Sequence, residues 1–322
     1  MSIASYARAS DTGKKRRRNE DSYVVAPPLF AVADGMGGAQ AGEVASKLAA
    51  AALKETHPEG ASDAEKVTAL IQEANRRVYE RAHSDPATSG MGTTMTVAIV
   101  DGHTVTIGHV GDSRAYVVRG GELEQLTEDH SLVNELLKSG KLSREEAETH
   151  PQRSVITRAV GTDPDVDVDA FTVEAGEGDV FLLCSDGLTD MVADSDILDV
   201  VEKHRDDLDR ATKALVSAAN RGGGEDNITV IAFSIAADGD DTVRMDTPVD
   251  EDTLERIPLP TVDTMVVAPA EVEGVFVEPG SAEAEAIVQS TPISPAARIR
   301  LVLTMLALLG VAAVLLVWGL VR

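Results

Sequence analysis

Four aspartates stand at the ends of apolar runs: Asp34 in LFAVADGMGG, Asp112 in VTIGHVGDSRAY, Asp186 in DVFLLCSDGL and Asp226 in GGGEDNITVIAF. Short apolar runs bounded by Gly, Asn and Asp read as buried strands. Each strand therefore delivers a carboxylate to the rim of a core. Like charges a few ångströms apart resist joint ionisation, so a fold that gathers these strand ends needs cations between them. Hard oxygen ligands predict a divalent ion, Mg2+ or Mn2+.

The same patterning bounds the domain. Strand and helix periodicity runs from the N-terminus to about Ile235 and then stops, which predicts one catalytic-size domain over 1–236. Residues 237–297 lack periodicity and carry 14 Asp/Glu against 2 Arg, so about half of the formal charge of −25 sits there. That segment reads as a solvated, disordered linker. The acidic balance argues against nucleic acid as a partner, because affinity for its backbone comes from Lys and Arg. Cys184 is the single cysteine, which rules out an intramolecular disulfide and fits a reducing compartment.

Residues 298–322 differ again. Leu301 to Val321 contains no charged residue, and at about 1.5 Å per residue it spans roughly 32 Å, enough for about 30 Å of hydrocarbon. Arg298 and Arg300 precede it, so the reading is a single-pass tail anchor in the cell membrane, with the catalytic domain in the cytoplasm. The opening MSIASYARASDTG has no apolar h-region, so no secretory signal is expected.

Within the domain, YVV and LFAVA read as strands on either side of a Pro-Pro turn. Helices are expected in GEVASKLAAAALKETH and over about Asp63 to His83, the second capped by Ser62. TTMTVAIV, HTVTIGHV and SRAYVVR follow as three strands in hairpin order, joined by DG and GDS turns, which predicts antiparallel pairing. Residues 130–150 look helical with a break at Ser139-Gly140. Strands in VDAFTVEA and VFLLCS, two helices between Ser195 and Asn220, and the strand NITVIAF complete the domain. The class is α+β, with two sheets packed face to face and helices outside.

The ordered elements RRNEDS, ADGMGG, GMGTT, GDSRAY, HPQRS, LLCSDGL and GGGEDNITV resemble the metal-dependent serine/threonine protein phosphatases of the type 2C (PPM) family in their bacterial form, over about residues 4–236. The resemblance implies a four-layer α-β-β-α sandwich of mostly antiparallel sheets and hydrolysis of phosphoserine and phosphothreonine by metal-activated water. It implies two core Mn2+ or Mg2+ ions on Asp34, the Gly35 carbonyl, Asp186 and Asp226. A third, weaker ion would lie on Asp112 and Asp186, with Ser154 able to join it. Arg16 matches the phosphate-binding arginine of the family, and its planar fork suits a phosphate. Glu20 and Asp21 would orient metal-bound water. Phosphorylated proteins would be substrates, with a cognate serine/threonine kinase as the opposing partner and the bilayer bound through 301–321.

Several residues have competing readings. Gly-Asp-Ser at 111–113 is good hairpin chemistry by itself, so Asp112 has a structural alternative. Eukaryotic members carry a histidine directly after the first Asp-Gly, whereas Met36 stands here, leaving the leaving-group acid unassigned. His130 and His150 border a flap expected over about 130–158. Cys184 lacks the arginine six positions on that a cysteine-dependent phosphatase needs, because that position is Asp190. Asn227 is expected to brace the Asp226 loop. The rival functions are a phosphoprotein-binding module and a hydrolase of small phosphates.

Overall fold

Strand side chains alternate between two faces, and that alternation sorts this chain into layers. The computed structural model describes residues 3–37, 41–56, 62–143, 146–147, 150–236 and 244–245. One sheet runs β2 (Asp21–Ala26), β3 (Leu29–Met36), β5 (Met95–Asp101), β6 (Thr104–Val110) and β9 (Asp169–Glu174), with the short β4 (Gly92–Thr93) against β3. The other runs β12 (Arg244–Met245), β1 (Ile3–Asp11), β11 (Ile228–Ile235), β10 (Val180–Cys184), β7 (Arg114–Arg119) and β8 (Glu122–Gln125). Every pairing is antiparallel except that of β12 with β1.

In β3, Phe30 and Val32 enter a core between the sheets with Ile107, Val117, Phe181 and Phe233. Phe233 stacks between Phe30 and Phe181, with ring centroids 4.4 Å and 5.2 Å away. Each fully buried ring contributes on the order of 1.5–3 kcal/mol through area removed from water. The intervening Ala31 and Ala33 belong to a second core with α1 (Ala41–Glu55) and α2 (Asp63–Ser84), through Ala45, Ala49, Val67 and Ile71. A third core joins the outer face of the other sheet, at Leu182, Val230 and Ala232, to α5 (Asp194–Lys203) and α6 (Leu208–Gly222) through Ile197, Val201, Leu208 and Leu215. Three apolar layers separate helix, sheet, sheet and helix. Ser62 caps α2 as expected, in a reciprocal box with Glu65.

Two expectations change. The GDS turn is not a hairpin: β6 and β7 lie in different sheets, so Gly111–Ser113 carries the chain across the sandwich. Gly111 takes φ +113 and packs on Thr94, whose Cβ would lie 2.6 Å from an added Cβ. The connection is fixed by that contact rather than by strand pairing. Over 130–150 helix is described as α3 (Leu132–Lys138) and again at 146–147, on either side of the foreseen Ser139-Gly140 break, where Gly140 has φ +69. In the segment read as a linker, Arg244–Met245 adds a parallel strand to the edge of β1, whose outer backbone groups are open to pairing. A one-turn helix, α4 (Asp186–Thr189), was also not foreseen. Among the described residues no helix is long and apolar enough to cross a membrane. The span expected at 301–321, and most of the linker, lie outside the described residues.

Candidate metal centre

Antiparallel register places Asp21 directly opposite Asp34 on β2 and β3. Asp186 opens α4 just after β10, Asp226 lies two residues before β11, and Asp112 sits on the crossing from β6 to β7. Glycines let these loops interlock. A Cβ on Gly35 would lie 2.1 Å from the Gly42 carbonyl oxygen and 2.5 Å from that of Glu20. On Gly187 it would meet the Asn227 carbonyl oxygen at 2.0 Å, and on Gly13 the Asp226 carbonyl oxygen at 2.1 Å. Side chains at these points would push the acidic loops apart.

Hydrogen bonds fix what the glycines bring together. The Asp34 amide donates to Thr94 Oγ1 (2.9 Å), while Thr93 Oγ1 and the Thr94 amide both donate to the Asp34 carbonyl (2.8 Å each). Thr94 Oγ1 in turn bonds Ser113 Oγ at 2.8 Å, which links the Asp34 strand to the Asp112 crossing. Thr229 Oγ1 (2.6 Å) and Ser185 Oγ (2.8 Å) donate to Asp21 Oδ2. Asn227 braces the site as expected: its Nδ2 donates to the carbonyls of Thr12 and Arg18, and its Oδ1 accepts from the Glu20 amide. Arg16 Nη2 reaches Asp226 Oδ2 at 2.5 Å.

The carboxylates feel one another strongly. Burial, then the charges of Asp21, Asp186, Asp112 and Asp226, holds Asp34 well above the carboxylate range. Burial pushes Asp21 up to about 7, against the two hydroxyl donors, with Asp186 and Asp226 adding to the rise. Asp112 rises to about 8 through burial and the charges of Asp186 and Asp129. Asp186 rises to about 6 through burial, Asp226 and Asp190. Burial also raises Glu20. Burial works against the Arg16 charge, but the Asp226 hydrogen bond and the charges of Asp226, Glu20 and Asp34 outweigh it and raise its pKa.

Asp21 Oδ1, Asp112 Oδ1 and Asp186 Oδ1 are buried without any hydrogen-bond partner among the described residues. An unsatisfied buried acceptor costs about 1–3 kcal/mol. Repelling, oxygen-only and under-satisfied, this donor set fits a hard divalent cation. Among the described residues no three acidic, histidine or cysteine side chains enclose an ion unaided. Such an ion would keep several waters, as Mg2+-like ions do.

Asp34, Asp186, Asp226, Asp112, Glu20, Asp21 and Arg16 thus share one electrostatic neighbourhood, with Gly35 beside Asp34. Ser154 lies exposed on a turn and makes no hydrogen bond among the described residues; the neighbouring Arg153 pairs with Asp190 at 3.5 Å. His130 is buried and braces the crossing: its Nδ1 accepts from the Gly111 amide (3.0 Å) and its Nε2 meets Asp169 at 3.1 Å. The His150 ring accepts a local bond from the Gln152 amide. Cys184 is fully buried and its thiol is pushed up to about 12 by that burial, so it is inert. The sequence reading missed the Thr93–Thr94 clamp and His109, which is buried between Thr96 Oγ1 and the Glu128 carbonyl. The GMGTT run, with polar residues inside an apolar strand, carried the signal for the first.

The family model described as Protein phosphatase 2C matches residues 14–221. The serine/threonine phosphatase stp of Listeria welshimeri is 42% identical over 233 residues, covering 69% of this chain and 92% of that protein. A crystal structure of the Mycobacterium tuberculosis serine/threonine phosphatase PstP/Ppp superposes with a TM-score of 0.69 at 40% identity, covering 73% of this chain and 100% of that one. The catalytic domain of PstP in complex with two manganese ions gives a TM-score of 0.67 at 38% identity, covering 73% and 99%.

Proposed function

The chain belongs to the protein phosphatase 2C family and is a phosphoprotein phosphatase, and from this premise we propose that its acid cluster holds Mn2+ or Mg2+ and cleaves phosphoserine and phosphothreonine at a membrane, against a serine/threonine kinase. The observation that carries the metal assignment is the set of three buried, partnerless carboxylate oxygens on Asp21, Asp112 and Asp186. Asp34, the Gly35 carbonyl, Asp186 and Asp226 would hold two ions, and Asp112, Asp186 and Ser154 a weaker third. Bound divalent ions supply charge neutralisation and an activated water for phosphate-ester hydrolysis.

The chain's own residues do the remaining work. Arg16 presents a planar fork to the phosphate oxygens, aimed by its bond to Asp226. Asp21 offers Oδ1 as a free acceptor while Thr229 and Ser185 lock its other oxygen, so it orients water in a fixed direction. Glu20, fixed through its amide by Asn227, adds a second acceptor. Met36 has no proton to give, so the leaving alkoxide takes its proton from elsewhere in the site. The uncharged stretch at 301–321 supports a tail anchor that keeps the domain at the cytoplasmic face of the cell membrane, near a membrane kinase.

Phosphate release from phosphothreonine peptides should require Mn2+ or Mg2+ and cease in EDTA; full activity in EDTA sinks the metal assignment. Full-length protein should sediment with membranes and lose that behaviour when 301–321 is deleted; an unchanged distribution sinks the anchor.

A further inference from the structure

The loop that carries Arg16 holds more positive charge than the acid cluster uses. Residues 14–18, Lys-Lys-Arg-Arg-Arg, are all exposed, in a chain of formal charge −25. Arg16 pairs with Asp226, and Arg18 lies 3.5 Å from Glu43. Lys14, Lys15 and Arg17 make no ion pair and no side-chain hydrogen bond among the described residues. An unstructured basic arm would be read as solvated charge, but this backbone is pinned. Asn227 Nδ2 donates to both of its ends, Thr12 O at 2.9 Å and Arg18 O at 2.8 Å. The amides of Lys14 and Lys15 both donate to Gly224 O, at 2.7 Å and 3.2 Å. Asp11 Oδ1 accepts from Gly13 N at 2.8 Å and from Asn220 Nδ2 at 3.0 Å. Three unneutralised cations are therefore held in register with the one that faces the site.

We infer that Lys14, Lys15 and Arg17 form a specificity platform for phosphorylated segments that carry further negative charge, carboxylates or a second phosphate, beside the scissile phosphate. The inference rests on the phosphatase reading and narrows its substrate class. Consecutive Cα atoms are about 3.8 Å apart and an extended peptide advances about 3.3 Å per residue, so acids about one to three residues from the phosphorylated one fall within reach. A lipid surface is the weaker occupant. Residues 12–19 contain no apolar side chain to insert, and the cations flank in sequence the one arginine that pairs with Asp226.

The test uses the full chain with Mn2+ and three phosphothreonine peptides: neutral flanks, glutamate flanks, and a second phosphothreonine. The wild type should favour the charged peptides by roughly tenfold in kcat/KM, mostly through KM. The preference should shrink towards 1 M salt, where the screening length is about 3 Å. The triple variant K14Q/K15Q/R17Q should bring the ratio close to parity, and K14R/K15R/R17K should restore it. A wild type indifferent to flanking charge, or a triple variant that keeps the preference, overturns the inference. So does a triple variant whose only defect is weaker sedimentation with phosphatidylserine vesicles. Turnover of the neutral peptide separates the two levels: with no turnover the phosphatase reading itself falls, while equal turnover of all three peptides removes only the platform.

Discussion

The two banks of the acid cluster are built differently. On one, the loops carrying Asp34, Asp186 and Asp226 touch backbone to backbone through Gly13, Gly35 and Gly187, and Asn227 ties the loop over 12–20 to them at Thr12, Arg18 and Glu20. On the other, Asp112 sits on a crossing held by Thr94 and His130, and the adjoining flap is tied mainly at its base, where Ser131 pairs with Ile156. The flap helix α3 buries none of its residues, whereas α6 buries Leu208, Ala211, Thr212, Leu215, Val216 and Ala219. Val155, on the flap, is 42% exposed. Carboxylates fixed in advance need no reorganisation when charge develops, which favours catalysis. A lightly packed flap is suited to admitting substrates of varied shape.

The largest effect should come from the fixed bank. Asp34→Asn removes one charge from the centre of the cluster and should lower kcat by at least about 10^3-fold. The fold should survive: without divalent ions the variant should melt no lower than wild type, because a repelling charge has gone. Retained turnover, or a lower melting temperature in EDTA, would show that Asp34 is not the centre of the repulsion. Next is a pair of glycines. Gly187→Ala should cost about 2–3 kcal/mol in urea unfolding, because the new Cβ would lie 2.0 Å from a backbone oxygen. Gly140→Ala, with open space but φ +69 at the end of α3, should cost only about 1 kcal/mol. Equal costs would erase the contrast.

The acids themselves were legible on both banks. Apolar runs bounded by Asp gave the positions of Asp34, Asp112, Asp186 and Asp226, because a buried strand writes its period and its ends directly into sequence. What stayed hidden depends on contacts distant along the chain. Gly-Asp-Ser looks the same in a hairpin as in a passage between sheets, and only the contact of Gly111 with Thr94 decides. Thr93, Thr94 and His109 read as ordinary polar residues in a strand until Asp34, Ser113 and Glu128 are placed beside them. The 130–150 region was legible locally, since apolar spacing and the Ser139-Gly140 break lie close together in sequence, and helix is described at 132–138 and 146–147 on either side of that break.

Acidity compares the banks through protons. In the metal-free fold Asp21 titrates at about 7, Asp186 at about 6 and, on the crossing, Asp112 at about 8, against about 3.9 in the unfolded chain. Between these values the fold binds more protons than the unfolded chain, so stability falls as pH rises. Buried His109, lowered to about 4, opposes this trend until about pH 6.5, where unfolded histidine has lost its proton. The melting temperature in EDTA should therefore drop from pH 6.5 to 8, and Mn2+ should restore it. Asp112→Asn should flatten the upper end of the slope more than Asp186→Asn does. A melting temperature that climbs with pH across this window contradicts the raised acids.

Ser154→Ala should have the smallest effect, and it tests the open bank most directly. The side chain is exposed and hydrogen-bonds to nothing described, so unfolding should change by less than about 0.5 kcal/mol. A hydroxyl is a neutral ligand that water replaces at little cost, so kcat/KM at saturating Mn2+ should fall by no more than about threefold. The difference should grow only at limiting Mn2+, where a weak site is the first to empty. A loss comparable with that of Asp34→Asn would mean that the flap supplies a fixed ligand after all, and the distinction between a rigid and an adjustable bank would have to be abandoned.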